Sequence, residues 1–204
     1  MARVNVGIKP AENRTVKKTK GDVWQIVNVI LEADRESATF TKGLSMRLKQ
    51  ANEFDTLSAA WSWLKKNVRY TKDAPGTELI KSPGKLWQDG KADCKGFSIF
   101  IGSLLQNWDI PYVYRVAFYD PKHPQSGHIY PVAYLDGQEV IIDAVHTEFD
   151  EQVPYWKAYD VDPGTGIRTE VEFAEVAGID EVDAATKKIM MILATAAAYL
   201  IFKK

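Results

Sequence analysis

The sequence contains a single cysteine, Cys94, among its 204 residues. One thiol excludes an intramolecular disulfide framework and any zinc site built from a cluster of cysteines. The first ten residues contain no apolar run of the kind that secretory signals require. A reducing, intracellular setting is therefore the simplest expectation for this free thiol.

The sequence also lacks a charge excess, because 26 basic residues face 27 acidic residues and the net charge is −1. We therefore expect no nucleic-acid partner, since such proteins usually carry a strong basic excess. No internal repeat is visible, and nothing points to a metal or an organic cofactor. The hydrophobic share of 46% is large enough to build a folded core.

The chain divides into three predicted parts. Residues 1–20 are locally basic and poor in large apolar residues, which predicts a flexible arm. Residues 21–177 form the predicted domain, and residues 178–204 a linker followed by an apolar helix. Residues 189–202 are apolar on every face but shorter than the roughly 20 residues that a membrane-spanning helix needs. Contact with a membrane and packing against a protein partner both remain open for this segment.

Helical and strand patterns follow one another along the predicted domain. Apolar residues at helical spacing predict a helix from Asp22 to about Ser37, a weaker helix over 40–52 and a third helix from Asp55. β-branched and aromatic runs predict strands over 112–119, 128–135 and 139–145, with a weak edge strand over 168–173. Past residue 146 the chain looks irregular and aromatic, with Phe149, Tyr155, Trp156 and Tyr159. The pattern indicates an α+β fold, with a helical N-terminal lobe packed on an antiparallel sheet.

Cys94 lies where glycines and charges give way to an apolar run, which is typical of the first turn of a helix that enters a core. A helix N-terminus carries about half a positive charge, so it favours the thiolate over the thiol. The backbone N–H of Cys94 would also face an oxyanion formed beside the sulfur. Cys94 is therefore a candidate nucleophile.

A predicted hairpin supplies a candidate base and its orienting group. If Asp136 and Gly137 form a two-residue turn, His128 and Asp143 fall on the same face as diagonal neighbours, roughly 7–8 Å apart at the backbone. The carboxylate would then hold the Nδ1–H of the imidazole. A three-residue turn would place Asp143 on the other face. His123 and His146 are the rival candidates for the base.

These residues together resemble the transglutaminase-like fold of the papain-like cysteine enzymes. The resemblance covers about residues 55–145 and rests on Gly90, Asp93-Cys94, Ile110-Pro111 with Arg115, His128 and Asp143. It implies that Cys94 is the nucleophile, His128 the general base and acid, and Asp143 the orienting carboxylate. It also suggests Gln88 or the neighbouring Trp87 for the oxyanion hole. Lys95, directly after the cysteine, is not a hallmark of that family.

The resemblance implies a thiol-dependent acyl-transfer enzyme that acts on amide bonds of a peptide or protein. Hydrolysis by a cysteine peptidase or amidase and transfer to an amine by a transglutaminase both remain open. The alternative is a catalytically inactive structural or anchoring protein, associated with a virion or a membrane, that retains this fold. Phage and bacterial origins are both compatible with the residues.

Overall fold

The computed structural model describes residues 6–11, 15–18 and 21–171. Within them the chain forms these helices and strands, in order: β1 Thr15–Lys18, α1 Val23–Arg35, α2 Ala38–Leu48, α3 Glu53–Asn67, β2 Arg69–Tyr70, β3 Glu78–Lys81, α4 Pro83–Asp89, β4 Lys91–Ala92, α5 Cys94–Trp108, β5 Tyr112–Phe118, β6 Gly127–Leu135, β7 Gln138–Ile141, β8 Lys157–Val161 and β9 Arg168–Val171. The predicted linker and apolar C-terminal helix over 178–204 lie outside the described residues.

The strands form one larger sheet and two small ones. The larger sheet is antiparallel, with the order β7-β6-β5-β8-β9. Strand β1 pairs with β3, and β2 pairs with β4. Because the helices come mainly before this sheet in the chain, the predicted α+β class with an N-terminal helical lobe is confirmed.

Helix α5 is the centre of the molecule. Every residue from Lys95 to Leu105 is buried, so the helix has no solvent face over that stretch. One side of the helix contributes Phe97, Phe100 and Leu104 to a hydrophobic cluster shared with α3 and α4. Ile99 belongs to a second cluster, which α1 and β5 complete. A helix that is apolar all round is stable only when enclosed in this way.

Side-chain caps fix where the helices on either side of the cysteine begin. Asp22 forms a capping box with Gln25 at the start of α1, as the sequence predicts. Ser82 caps α4 ahead of Pro83. Asp93 caps α5 and thereby makes Cys94 its first residue. The predicted helix start at the cysteine is therefore observed.

The hairpin that carries the candidate base has the predicted turn. Asp136 and Gly137 have φ values of 50° and 80°, and Leu135 pairs with Gln138. These φ values belong to the two-residue turn whose twist matches that of the strands. However, β7 ends at Ile141, whereas the predicted strand continued to residue 145. The chain leaves the sheet there because Asp143 turns it, by accepting the backbone N–H of Val145.

The structure differs from the sequence prediction in two other segments. Residues 157–161, within the stretch predicted as irregular, form strand β8 beside β5, where Ala158 and Val161 are fully buried. In the predicted flexible arm, Ile8 and Ala11 are buried and 15–18 pair with β3, so these two stretches are docked on the body. Of the described residues, no helix is long and apolar enough to cross a bilayer.

Candidate active site

Cys94 lies half-buried at the N-terminus of α5. The Oδ1 atom of Asp93 accepts the backbone N–H groups of Lys95 and Gly96, at 3.1 and 3.4 Å. The first N–H groups of a helix have no partner within the helix. Asp93 accepts the second and third of these N–H groups. The first, the N–H of Cys94 itself, is therefore the one that could donate to an oxyanion formed next to the sulfur.

His128 and Asp143 meet beneath the cysteine. The imidazole Nε2 atom of His128 lies 2.7 Å from Oδ2 of Asp143, and both side chains are buried. Cys94 is a further hydrogen-bonding partner of His128. The prediction that the carboxylate holds Nδ1 is wrong, because Nε2 faces Asp143 and leaves Nδ1 for the thiol. The three side chains thus form a chain of contacts from sulfur to imidazole to carboxylate.

Two further hydrogen bonds hold Asp143 in place. Its Oδ1 atom accepts the N–H of Val145 at 2.9 Å, so each carboxylate oxygen has a partner. The indole N–H of Trp61, on α3, donates to the backbone carbonyl of Asp143, also at 2.9 Å. The helical lobe therefore helps to fix a residue that the sheet alone would leave beyond the end of β7.

The electrostatics of the pair favour a charged imidazole. Burial alone would disfavour the cation, but the charge and hydrogen bond of Asp143, together with Cys94, outweigh it and raise the pKa of His128 to about 10. Burial would also disfavour the carboxylate, yet His128 and the N–H of Val145 lower the pKa of Asp143 below its usual value. At neutral pH the pair is therefore imidazolium and carboxylate.

The two rival histidines lie elsewhere. His123 is exposed in the loop between β5 and β6, where its Nδ1 atom contacts Asp120 at 2.7 Å. His146 is buried. Its backbone carbonyl accepts a hydrogen bond from the ammonium of Lys65, and its Nδ1 atom accepts one from the backbone N–H of Glu148. Of the three histidines, His128 alone is among the described residues that line the cleft at Cys94.

The two residues predicted for the oxyanion hole make contacts with other parts of the protein. Gln88 is exposed and its amide donates to the backbone carbonyl of Ala11 at 3.3 Å. Trp87 packs 5.4 Å from the ring of Trp63, in the cluster of α3 and α4 rather than the one Cys94 contacts. Neither is among the described residues that line the cleft. Their role in an oxyanion hole stays a prediction.

An ionic cluster surrounds Lys95, the residue that directly follows Cys94. The ammonium of Lys95 contacts Asp73 at 3.3 Å, Glu78 at 2.6 Å and Asp93 more closely still. Among the described residues these three carboxylates are the group whose oxygens are close enough to share a cation, and the lysine supplies it. Burial opposes the charge on Lys95, but Cys94 and Asp93 outweigh it and raise its pKa.

Sequence reasoning missed this cluster. Lys95 was visible beside the cysteine, but Glu78 comes from strand β3, which the sequence pattern did not reveal. The signal available in the sequence was a lysine enclosed by an otherwise apolar helix. A buried lysine requires carboxylate partners, and Asp93 was the nearest one in the chain.

The cleft itself lies between α1 and the start of β6. It has a volume of about 190 Å³, and Cys94 and His128 are part of its lining. Glu78 and Lys95 of the ionic cluster also line it, as do residues 125–127, which end the loop between β5 and β6 and begin β6. The nucleophile and base candidates are therefore accessible from a shared depression rather than sealed in the core.

The family model of the transglutaminase-like superfamily matches residues 42–144, just over half of the chain. The chain belongs to the transglutaminase-like superfamily. The matched range ends directly after Asp143 and contains Cys94 and His128, so the resemblance seen in the sequence is confirmed. No curated protein is similar to the chain by sequence.

Solved structures of the same fold come from several bacteria. A protein of Parabacteroides distasonis, provisionally assigned as a protease, is 12% identical with a TM-score of 0.53, over 75% of this chain and 32% of its own. A provisionally assigned cysteine protease of Cytophaga hutchinsonii is 21% identical with a TM-score of 0.39, and the match covers 61% of this chain and 39% of that protein. LapG of Legionella pneumophila is 17% identical with a TM-score of 0.49, over 87% and 100%.

The similarity to the Parabacteroides protein supports the fold and nothing finer. The chain spans 39% and 32% of the lengths of the Cytophaga and Parabacteroides proteins. Identities this low do not carry over a substrate. The chemistry of this chain must therefore be argued from its own cleft.

Proposed function

We propose that the protein is a thiol-dependent acyl-transfer enzyme that acts on amide bonds, with Cys94 as nucleophile. The observation that carries the proposal is the contact chain from Cys94 to His128 to Asp143, opening on one cleft. A nucleophile, a base and a group that orients the base are the parts that covalent acyl transfer needs.

The geometry supports a definite order of events. His128 takes the thiol proton and becomes an imidazolium, the form that Asp143 favours by raising the pKa of the ring. The sulfur attacks the carbonyl carbon, and the backbone N–H of Cys94 donates to the oxyanion. His128 then gives its proton to the leaving amine, and a thioester remains on Cys94. Water or a second amine attacks this thioester and regenerates the thiol.

Asp143 acts through His128 rather than on the substrate. Its hydrogen bond to Nε2 fixes the ring and leaves Nδ1 as the nitrogen that can serve the thiol. Because the carboxylate is buried and held by Val145, the ring cannot rotate without breaking a charged hydrogen bond. Asp143 is therefore a positioning residue in this mechanism.

The first experiment measures the reactivity of Cys94 towards iodoacetamide at pH 6.5. We expect alkylation at least about tenfold faster than for a free model thiol, because the imidazolium stabilises the thiolate. The variant His128→Gln should lose this advantage, whereas His123→Gln, at an exposed histidine, should keep it. Equal rates for the native protein and the model thiol would contradict an activated nucleophile.

A second experiment tests turnover. The protein is incubated with a mixed peptide library, with and without a fluorescent primary amine, and the products are identified by mass spectrometry. Cleaved peptides indicate hydrolysis, and peptides carrying the amine indicate transfer; Cys94→Ala should yield neither. If an activated Cys94 gives no product under any condition, the inactive structural alternative replaces the proposal.

A further inference from the structure

Helix α1 places an aliphatic wall beside the candidate nucleophile. Val23, Ile26, Val27 and Ile30 all line the cleft, and their spacing puts them on one stripe of the helix. Val27 and Ile30 are also core residues, exposed by 2% and 1%, whereas Val23 and Ile26 are half-buried. The half-buried pair therefore presents apolar surface to the space above Cys94. This helix lies outside the residues 42–144 that the family model matches.

The wall is fixed rather than a movable cover. At the start of α1, Asp22 forms its capping box, and near its end the buried Asp34 accepts hydrogen bonds from the hydroxyls of Tyr112 and Tyr114, both at 2.6 Å. Breaking these contacts would deprive the buried carboxylate of Asp34 of its two phenol donors, which is costly. The shape of the cleft is therefore largely set before any substrate arrives.

The facing wall is apolar as well. Val116 of β5 and Ile129 of β6 line it, and so does Gly127, the first residue of β6. A Cβ atom at Gly127 would lie 3.4 Å from Cγ1 of Val23 and 3.4 Å from Cγ1 of Val116. The two apolar walls are thus close enough that one side chain placed between them would contact both.

Each charged group that lines the cleft already has a partner within the protein. Of the described residues that line it, Glu78 and Lys95 pair with each other at 2.6 Å, and His128 pairs with Asp143 at 2.7 Å. A negatively charged substrate group entering here would lose water beside the carboxylate of Glu78, which is unfavourable. An apolar side chain would instead gain the burial of its own surface.

The volume limits what fits. The cleft of about 190 Å³ is slightly larger than the roughly 150 Å³ apolar cavity that accommodates benzene in another protein. It is smaller than the roughly 300–1,000 Å³ typical of pockets for drug-sized ligands. One aliphatic side chain fits these dimensions, and a large cofactor does not.

We infer that this cleft is a subsite for an aliphatic side chain, on the residue whose carbonyl Cys94 attacks. The inference rests on the proposed function and narrows it to the cleavage of peptide bonds that follow residues such as valine or leucine. Ile26 and Val23 are then specificity-determining residues.

The test uses acetylated amino-acid chloromethyl ketones, which alkylate a thiolate held beside their carbonyl. Their second-order rates with Cys94 are measured by intact mass for valine, leucine, phenylalanine, glutamine, aspartate and glycine probes. We expect the valine and leucine probes to react at least about tenfold faster than the aspartate and glycine probes, after correction for their rates with a free thiol. Equal corrected rates would overturn the inference.

Substitutions on α1 test the wall itself. Ile26→Ala widens the cleft and should raise the ratio of phenylalanine to leucine rates by about fivefold or more. Val29→Ala is the matched control, because Val29 is an aliphatic residue of α1 that packs on the core and is not among the residues lining the cleft. A change of the ratio in both variants, or in neither, would overturn the assignment of Ile26.

The same samples separate this inference from the proposed function. Iodoacetamide carries no side chain, so its rate reports only on the thiolate. Fast reaction with iodoacetamide but no preference among the probes would reject the subsite and leave the proposed function standing. Slow reaction with iodoacetamide would reject the activated nucleophile, whereas the probe ratios would still report whether the cleft selects aliphatic side chains.

Discussion

At the scale of single residues, His128 illustrates how burial and a partner compete. Its side chain is almost fully enclosed, which by itself would keep the ring neutral. The Asp143 carboxylate lies 2.7 Å away and reverses that preference. The result is a cation placed beside a thiol, which is the arrangement that a cysteine nucleophile needs.

The substitution Asp143→Asn should lower the pKa of His128 from about 10 towards or below its unfolded value of about 6.5. Because the folded pKa in the native protein is raised, the pair stabilises the fold fully below about pH 6.5, and this stabilisation is lost as pH rises towards 10. Unfolding by denaturant between pH 6 and pH 10 should show this loss in the native protein. The same curve should be nearly flat over this range in Asp143→Asn.

An NMR titration of the His128 ring gives the independent check on that substitution. If the ring titrates at the same pH in both proteins, the raised pKa does not come from Asp143. The exposed His123 serves as an internal reference, since its environment is unchanged by the substitution.

Replacing Lys95 by methionine should destabilise the protein by about 3–5 kcal/mol, because the buried carboxylate of Asp93 and the half-buried carboxylates of Asp73 and Glu78 would lose their shared cation. Lys91→Met, at an exposed lysine, should change the free energy of unfolding by less than about 0.5 kcal/mol. Denaturant titrations of both variants measure the difference. Equal stabilities would show that the cluster contributes little to the fold.

At the scale of secondary structure, α5 owes its position to close packing as much as to helix propensity. Gly102, in the middle of this helix, lies against the buried polar network of Asp34 and Tyr114. The absence of a side chain at this position allows α1, β5 and α5 to meet. The wall of the cleft is thereby tied to the helix that carries the cysteine.

The substitution Gly102→Ala separates propensity from packing. Propensity alone predicts stabilisation by about 1 kcal/mol, since alanine is the better helix former. A Cβ atom there would lie 2.2 Å from the hydroxyl oxygen of Tyr114 and 2.6 Å from Oδ1 of Asp34. We therefore expect destabilisation by about 1–3 kcal/mol, measured by thermal unfolding.

The matched control for the packing argument is Gly164→Ala. A Cβ atom at Gly164 would approach no closer than 3.4 Å to a neighbouring atom, so its effect should be small. An increase in the melting temperature of Gly102→Ala would contradict the packing explanation.

At the scale of the whole molecule, the cleft and the contact chain are built from a continuous part of the sequence. The described residues that line the cleft lie between Val23 and Ile129, and Asp143 completes the contact chain. Helices from the first part of the chain and strands from the second meet at this point. The active-site proposal is therefore separable from the predicted role of residues 189–202 in binding a membrane or a protein.

A chain that ends at Val171 should keep the iodoacetamide reactivity of Cys94 within about twofold of the full chain, because its cleft residues are retained. Flotation with lipid vesicles should be lower for the shortened chain if residues 189–202 contact membranes. Equal flotation of both chains would argue for packing against protein instead. Loss of Cys94 reactivity on shortening would show that the C-terminal residues take part in the site.

The local features of this protein follow from its sequence. The start of α5 at Cys94 follows from Asp93 as a cap and the apolar run behind it, and the pairing of Leu135 with Gln138 follows from the Asp136-Gly137 turn. Both depend on residues within a few positions of each other. For the same reason, the contact between His128 and Asp143 was predictable from one hairpin.

Tertiary structure decided what distant segments contribute. The strand at 157–161 forms because β5 offers it a buried edge, which no local pattern encodes. The ring nitrogen that faces Asp143, the carboxylates that surround Lys95 and the aliphatic wall of α1 all depend on how separate elements pack around α5. The sequence alone identified the candidate residues for the chemistry, and packing decided how they face one another, because orientation depends on contacts between segments far apart in the chain.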